Sequence, residues 1–205
     1  MAEASSAAAD EALMLRYQRG DSSAFAFLVR RHKAPLYNFV LRHLRSQAAA
    51  EDITQEAFLR VVQRASDFKH EARFSTWLYT IARNLCIDHS RKMKLRRHPS
   101  LDAPTETSDG SRTLLEVVPS SSTESDVERA AEWTAMRRSI VAAVEALPDD
   151  QREVFLLREV ANLPFKEIAE VTGTPENTVK SRMRYALERL RMALSNFEEY
   201  ARALR

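Results

Sequence analysis

Apolar positions along this chain recur every three to four residues and nowhere alternate, so the pattern predicts helices and no strands. Asp21-Ser22-Ser23 offers an N-terminal cap for a helix running to about Arg45, with a kink expected at Pro35, whose ring removes a backbone donor. A second helix is predicted from about Ala49 to Ala65. It carries Ala57, Phe58, Val61 and Ala65 on one face, and Asp52, Gln55, Glu56, Leu59 and Gln63 on the other. A third is predicted from near Ser75 to near Arg97, with Phe74, Leu78, Ile81 and Leu85 as its buried stripe. Arg83, Asn84, Asp88 and Arg91 lie off that stripe and are expected to face outward. Further on, Trp133 to Ala146 and Asp149 to Glu159 read as amphipathic helices separated by Pro148.

Breakers divide the chain. Glycine occurs only at 20, 110 and 173, and Leu36 to His98 contains neither Gly nor Pro. Pro99 to Ser125 is different: Pro99, Pro104, Pro119 and Gly110 stand among many Ser and Thr, with little apolar content beyond Leu114, Leu115, Val117 and Val118. The expected fold is therefore all-α, with two small helical domains joined by a flexible acidic linker. Residues 1–10 are expected to be disordered, 11–98 to form the first domain, 99–125 the linker and 126–205 the second domain.

Leu163 to Arg191 has the pattern of a helix-turn-helix. Pro164 suits the first turn of a short helix Phe165–Val171, and Gly173 lies just past its end, where a left-handed residue is needed. Thr174 can cap the next helix, with Pro175 at its first position, and Ala169 is small where the two helices cross. The turn of about three residues is the spacing of a DNA-binding helix-turn-helix. On the second helix Val179, Met183, Leu187, Leu190 and Leu194 form the expected inner stripe. Asn177, Lys180, Ser181 and Arg184, with Tyr185 on the flank, form the outer face offered to base edges.

Charge sharpens this picture. The formal net charge is only +2, but it is unevenly spread. Pro99 to Glu132 holds eight acids against two bases, Arg91 to His98 five Lys/Arg and no acid, and Lys180 to Arg191 five Lys/Arg and one acid. Basic patches of this kind fit a polyanion, and Arg91, Lys92, Lys94, Arg96 and Arg97 read most simply as phosphate contacts. The single cysteine, Cys86, allows no disulfide framework and no zinc cluster, and reads as a small buried apolar residue. No Gly-rich phosphate loop, metal cluster or nucleophile motif is present, and the five histidines are scattered, so the reading is not an enzyme and takes no metal or cofactor. No apolar run approaches the ~20 residues of a membrane span. The Ala/Ser-rich start has no signal-peptide character, so the expectation is a cytoplasmic protein without membrane insertion. An operator-binding repressor or activator is the alternative compatible with the same helix-turn-helix.

Two separated blocks resemble one family, the extracytoplasmic-function (ECF) group of bacterial RNA polymerase sigma factors. AEDITQEAFLRVV (Ala50 to Val62) resembles the family's polymerase-binding helix, and FSTWLYTIARNLCIDHSRK (Phe74 to Lys92) its promoter-melting and minus-ten helix. LPDDQREVFLLRE (Leu147 to Glu159) and EIAEVTGTPENTVKSRMRYALERLR (Glu167 to Arg191) resemble its minus-thirty-five domain. The resemblance implies that Asp52, Gln55, Glu56 and Leu59 dock on core RNA polymerase. It implies that the loop from Asp67 to Arg73, with Asn84, holds an unstacked minus-ten base, and that Lys69, His70, Arg73, Trp77, Arg83 and Arg91 surround that strand. Asn177, Lys180, Ser181, Arg184 and Tyr185 would meet minus-thirty-five promoter DNA, and an anti-sigma factor is implied as a further partner. Tyr185, Asn177 and Pro164 depart from the basic residue, Gly and Ser common in the family. These departures bear on the promoter sequence read, not on the fold.

Overall fold

Eight α-helices make up nearly all the regular structure among the described residues of the computed structural model, which are 9–69, 72–97 and 124–195, with backbone alone for 96, 97 and 124–132. They are α1 (Asp10–Gln18), α2 (Ser22–Leu44), α3 (Gln47–Gln63), α4 (Phe74–Arg97), α5 (Glu124–Glu145), α6 (Asp149–Glu159), α7 (Phe165–Thr172) and α8 (Glu176–Ala193). One 3-10 turn, Ala65–Asp67, follows α3, and no strand occurs among the described residues. The described residues divide between two compact units, one within Met1–Ala103 and Glu153–Ser181, the other within Pro104–Arg152 and Arg182–Arg205.

Three boundaries differ from the sequence expectation. Helix α1 lies outside the expected elements: Leu13, Met14 and Leu15 run consecutively and mark out no clear stripe, yet Leu13 and Met14 are fully buried. Ala65, expected on the second helix, belongs to the 3-10 turn that follows it. Helix α5 begins at Glu124, ahead of the expected start at Trp133 and inside the expected linker. The rest of that linker, from His98 to Thr123, lies outside the described residues, as do the first eight residues of the expected disordered start.

The first four helices share a core. Phe39, Leu36, Phe74, Leu78 and Val61 are fully out of water, and each such Phe or Leu contributes ~1.5–3 kcal/mol by leaving it. Phe39 meets the Tyr79 ring edge-on at 5.3 Å. Cys86 is buried here as expected, and burial, aided by the Glu153 carboxylate, pushes its thiol up to about 12, so it stays an inert thiol. The expected cap forms: Asp21 accepts from the backbone N–H of Ser23 at 3.1 Å and of Ala24 at 3.3 Å. The Ser23 hydroxyl, then Arg16, hold the Asp21 carboxyl down at about 2.

At the second motif, α7 ends on Gly173 at φ 63°, the left-handed conformation the sequence demanded there. The N–H groups of Gly173 and Thr174 both reach the carbonyl of Ala169, which closes the turn into α8. The inner stripe of α8 needs correction at Leu187, and Leu194 falls just past the helix end, half-buried. Val179, Met183, Ala186 and Leu190 are buried, whereas Leu187 is 49% exposed. At about 100° per residue, position 186 returns to within roughly 20° of position 179 while position 187 overshoots by about 80°. The alanine is the core residue and the leucine stands in water.

Candidate nucleic-acid interface

Helix α3 buries Ala50, Ile53, Ala57, Phe58 and Val61 against its neighbours and leaves the opposite face free. On that face Asp52 and Gln55 are exposed, Glu56 is half-buried, and Leu59 is 55% exposed at its centre. The Glu56 carboxylate accepts from Arg60 at 2.9 Å, one turn on. Val62 is exposed too and, three residues from Leu59, extends the apolar centre. Its place beside the buried Val61 gives no sign in the sequence that it faces outward.

Helix α4 carries the second surface. Phe74, Leu78, Ile81 and Leu85 are buried as expected. Asn84, Asp88 and Arg91 are exposed, and Trp77 is half-buried. At about 100° per residue these four fall within one narrow stripe down the helix. The Trp77 ring also leans on Phe68 at 5.3 Å and Phe74 at 6.4 Å, so it serves as the base of an aromatic cluster as well as an edge of the stripe. Lys69 and Arg73 are exposed at the entrance of the helix, and His70 lies outside the described residues.

Arg83 corrects the expectation that it faces outward with Asn84. Adjacent helical residues point about 100° apart. Arg83 is turned toward Glu153, which accepts from its Nε at 2.8 Å and its Nη2 at 3.3 Å. Only 21% and 9% of the two side chains remain exposed, so this is a largely desolvated, bidentate pair. Beside it Thr76 donates to Glu167 at 2.7 Å, and the guanidinium of Arg73 lies 3.7 Å from the same carboxylate. Helix α7 packs on α4 along this side. Partners ~70 or more positions apart leave no trace in local periodicity, which is why the sequence could not foretell them.

The third surface is the outer face of α8. Asn177, Lys180, Ser181 and Arg184 are exposed, opposite the buried Val179 and Met183. Lys180 pairs with Glu176 at 2.6 Å, and the Ser181 hydroxyl donates to the carbonyl of Asn177 at 2.9 Å. The Arg184 guanidinium lies 4.9 Å over the Tyr185 ring and reaches its hydroxyl at 3.2 Å. The flanking Tyr185, 47% exposed, thus holds the arginine fork in place.

The chain matches the family models for sigma-70 region 2 over residues 28–96 and for sigma-70 region 4 over residues 137–190. It is 35% identical over 177 residues to the ECF RNA polymerase sigma factor SigW of Bacillus subtilis, covering 86% of this chain and 92% of that one. This chain belongs to the ECF RNA polymerase sigma factors. It is also similar to the ECF sigma-E factor of Escherichia coli, at 32% identity over 87% of this chain and 91% of that protein. The RNA polymerase sigma-H factor of Pseudomonas aeruginosa is 31% identical, over 90% of this chain and 93% of its own. The same fold appears in CnrH, solved in complex with the cytosolic domain of CnrY (TM-score 0.62, 21% identity, 92% of this chain and 99% of that one). It appears again in the sigma factor RpoE of Bartonella quintana, solved with the anti-sigma factor NepR (TM-score 0.61, 20% identity, 83% and 96%). In this sigma factor α3 and most of α4 fall inside the region 2 match, and α6, α7 and most of α8 inside the region 4 match.

Proposed function

We propose that this ECF sigma factor binds core RNA polymerase through the exposed face of α3, reads upstream promoter DNA with α8 and stabilises the opened minus-ten strand along α4. The observation that carries this reading is the α3 face. A repressor with the same helix-turn-helix has no use for a polar helix face centred on Leu59 and Val62, whereas a subunit that must dock on polymerase needs one. Asp52, Gln55 and Glu56 supply the polar rim around that centre.

Promoter recognition then divides by surface. Arg184 and Lys180 suit guanine O6/N7 in the major groove, and Asn177 and Ser181 add shorter polar contacts. On α4, Asn84 offers two donors and an acceptor to an extruded base, Trp77 a stacking edge, and Arg91 with Lys69 a phosphate contact. Arg73, 72% exposed beside Lys69, adds a further phosphate contact. The protein works by binding alone, without a cofactor, in the cytoplasm where polymerase and promoter meet. Among the described residues no helix is long and apolar enough to cross a membrane, and no His/Cys/Asp/Glu group could hold a metal. An anti-sigma factor that covers the α4 and α8 surfaces is the proposed regulator.

Leu59→Ala and Asp52→Ala test the docking face. Both side chains stand outside the core, so the melting temperature changes little, while affinity for purified core polymerase falls roughly tenfold. Co-purification at wild-type yield by both variants moves the docking surface elsewhere.

A further inference from the structure

Both ends of the segment between α3 and α4 are tied to the first helix. Gln18, the last residue of α1, donates from Nε2 to the carbonyl of Ala65 at 2.6 Å and to that of Phe68 at 3.0 Å. Glu11, in the first turn of α1, accepts the backbone N–H of Phe74, where α4 begins, at 3.1 Å. A helix start ordinarily draws its cap from a Ser, Thr, Asp or Asn just before it. Here Arg73 occupies that place with no side-chain acceptor, and one of the open N–H groups of the first turn, that of Phe74, is met by a residue 63 positions away.

Helix α1 is itself well anchored. Leu13 and Met14 are fully buried. Asp10 pairs with Arg31 and, at 2.7 Å, with His32, whose ring lies against Phe74 at 5.3 Å. Burial works to raise the Asp10 carboxyl, and His32 and Arg31 outweigh it, keeping it charged. Two side chains of one anchored helix therefore hold Phe68, next to Lys69, and Phe74, next to Arg73.

We infer that Gln18 and Glu11 are positioning residues for the minus-ten strand: they fix the distance and orientation between Phe68 and Phe74 before DNA arrives. The inference rests on the reading that Lys69 and Arg73, with Trp77 and Asn84, line the opened strand. Neither residue suits direct contact with the strand. The Glu11 carboxylate repels phosphate, and both N–H groups of Gln18 are already spent on carbonyls. Left untied, Phe68 and Phe74 would have to be brought into register as DNA binds, and that cost would fall on base capture alone.

The test uses holoenzyme assembled from core polymerase and the full chain. Its probe is a DNA strand selected on wild-type holoenzyme from a randomised pool, together with copies carrying an abasic residue at each position in turn. Wild type discriminates strongly at one position. Gln18→Ala and Glu11→Ala lower that discrimination about tenfold, the worth of one or two hydrogen bonds, and leave core binding and upstream duplex affinity unchanged. Glu11→Gln keeps an oxygen for the Phe74 N–H and retains discrimination. Full discrimination in both alanine variants overturns the inference. So does a loss of every activity together with a lower melting temperature, which would make the contacts purely structural. A Glu11→Gln variant as weak as Glu11→Ala removes Glu11 from the role. Absence of discrimination in wild type at every position would overturn both the base-capture reading and this one, a result distinct from failure in the variants alone.

Discussion

Holoenzyme carrying Asn84→Ala should bind its promoter upstream and fail to open it. Asn84 is exposed on α4, on the same narrow stripe as Trp77 and Arg91 and away from the buried Phe74, Leu78 and Ile81. Its loss therefore costs the core nothing. An extruded base needs both donors and an acceptor at its edge, and an amide is the side chain that offers them together. Losing such a contact is worth about 1–3 kcal/mol, so opening should fall roughly ten- to a hundredfold. Permanganate reactivity of promoter thymines reads the opening, and a mobility shift on the upstream duplex alone reads the other surface. Normal opening removes Asn84 from the site. Loss of both activities would point to a shared folding defect.

The second large effect belongs to Arg184→Ala, which should weaken upstream recognition by a similar factor without unfolding the protein. The guanidinium is exposed opposite the buried Val179, Met183, Ala186 and Leu190, and is held over the Tyr185 ring. A bidentate guanine contact accounts for about 1–3 kcal/mol of base discrimination. Arg184→Lys keeps the charge and loses the fork, so it should restore non-specific affinity but not discrimination. Competition between the selected duplex and a scrambled one separates these outcomes, and thermal melting serves as the control. A melting temperature drop like that of a core truncation would contradict the placement of Arg184.

What the sequence could tell follows its local chemistry. Asp21 as a cap, Gly173 in the left-handed turn and the polar face of α3 were legible, because each depends on residues within a turn or two of one another. Failures arose where that locality ends. Leu187 is the larger apolar residue, but about 100° per residue favours Ala186 for the core. The consecutive Leu13, Met14 and Leu15 mark out no clear stripe from which to infer α1, and with α1 go Glu11 and Gln18. The polarity of its own helix points Arg83 outward, whereas its partner is Glu153, 70 positions away.

The central claim is that this chain confers promoter-specific initiation on core RNA polymerase. The direct measurement is in vitro transcription with purified core enzyme on genomic fragments enriched by the reconstituted holoenzyme. Transcripts with defined starts should appear only when the protein is added, and should be lost with Leu59→Ala and with Asn84→Ala. Transcripts identical with and without the protein, or repression of initiation by a protein bound to duplex DNA in the absence of polymerase, would contradict the account.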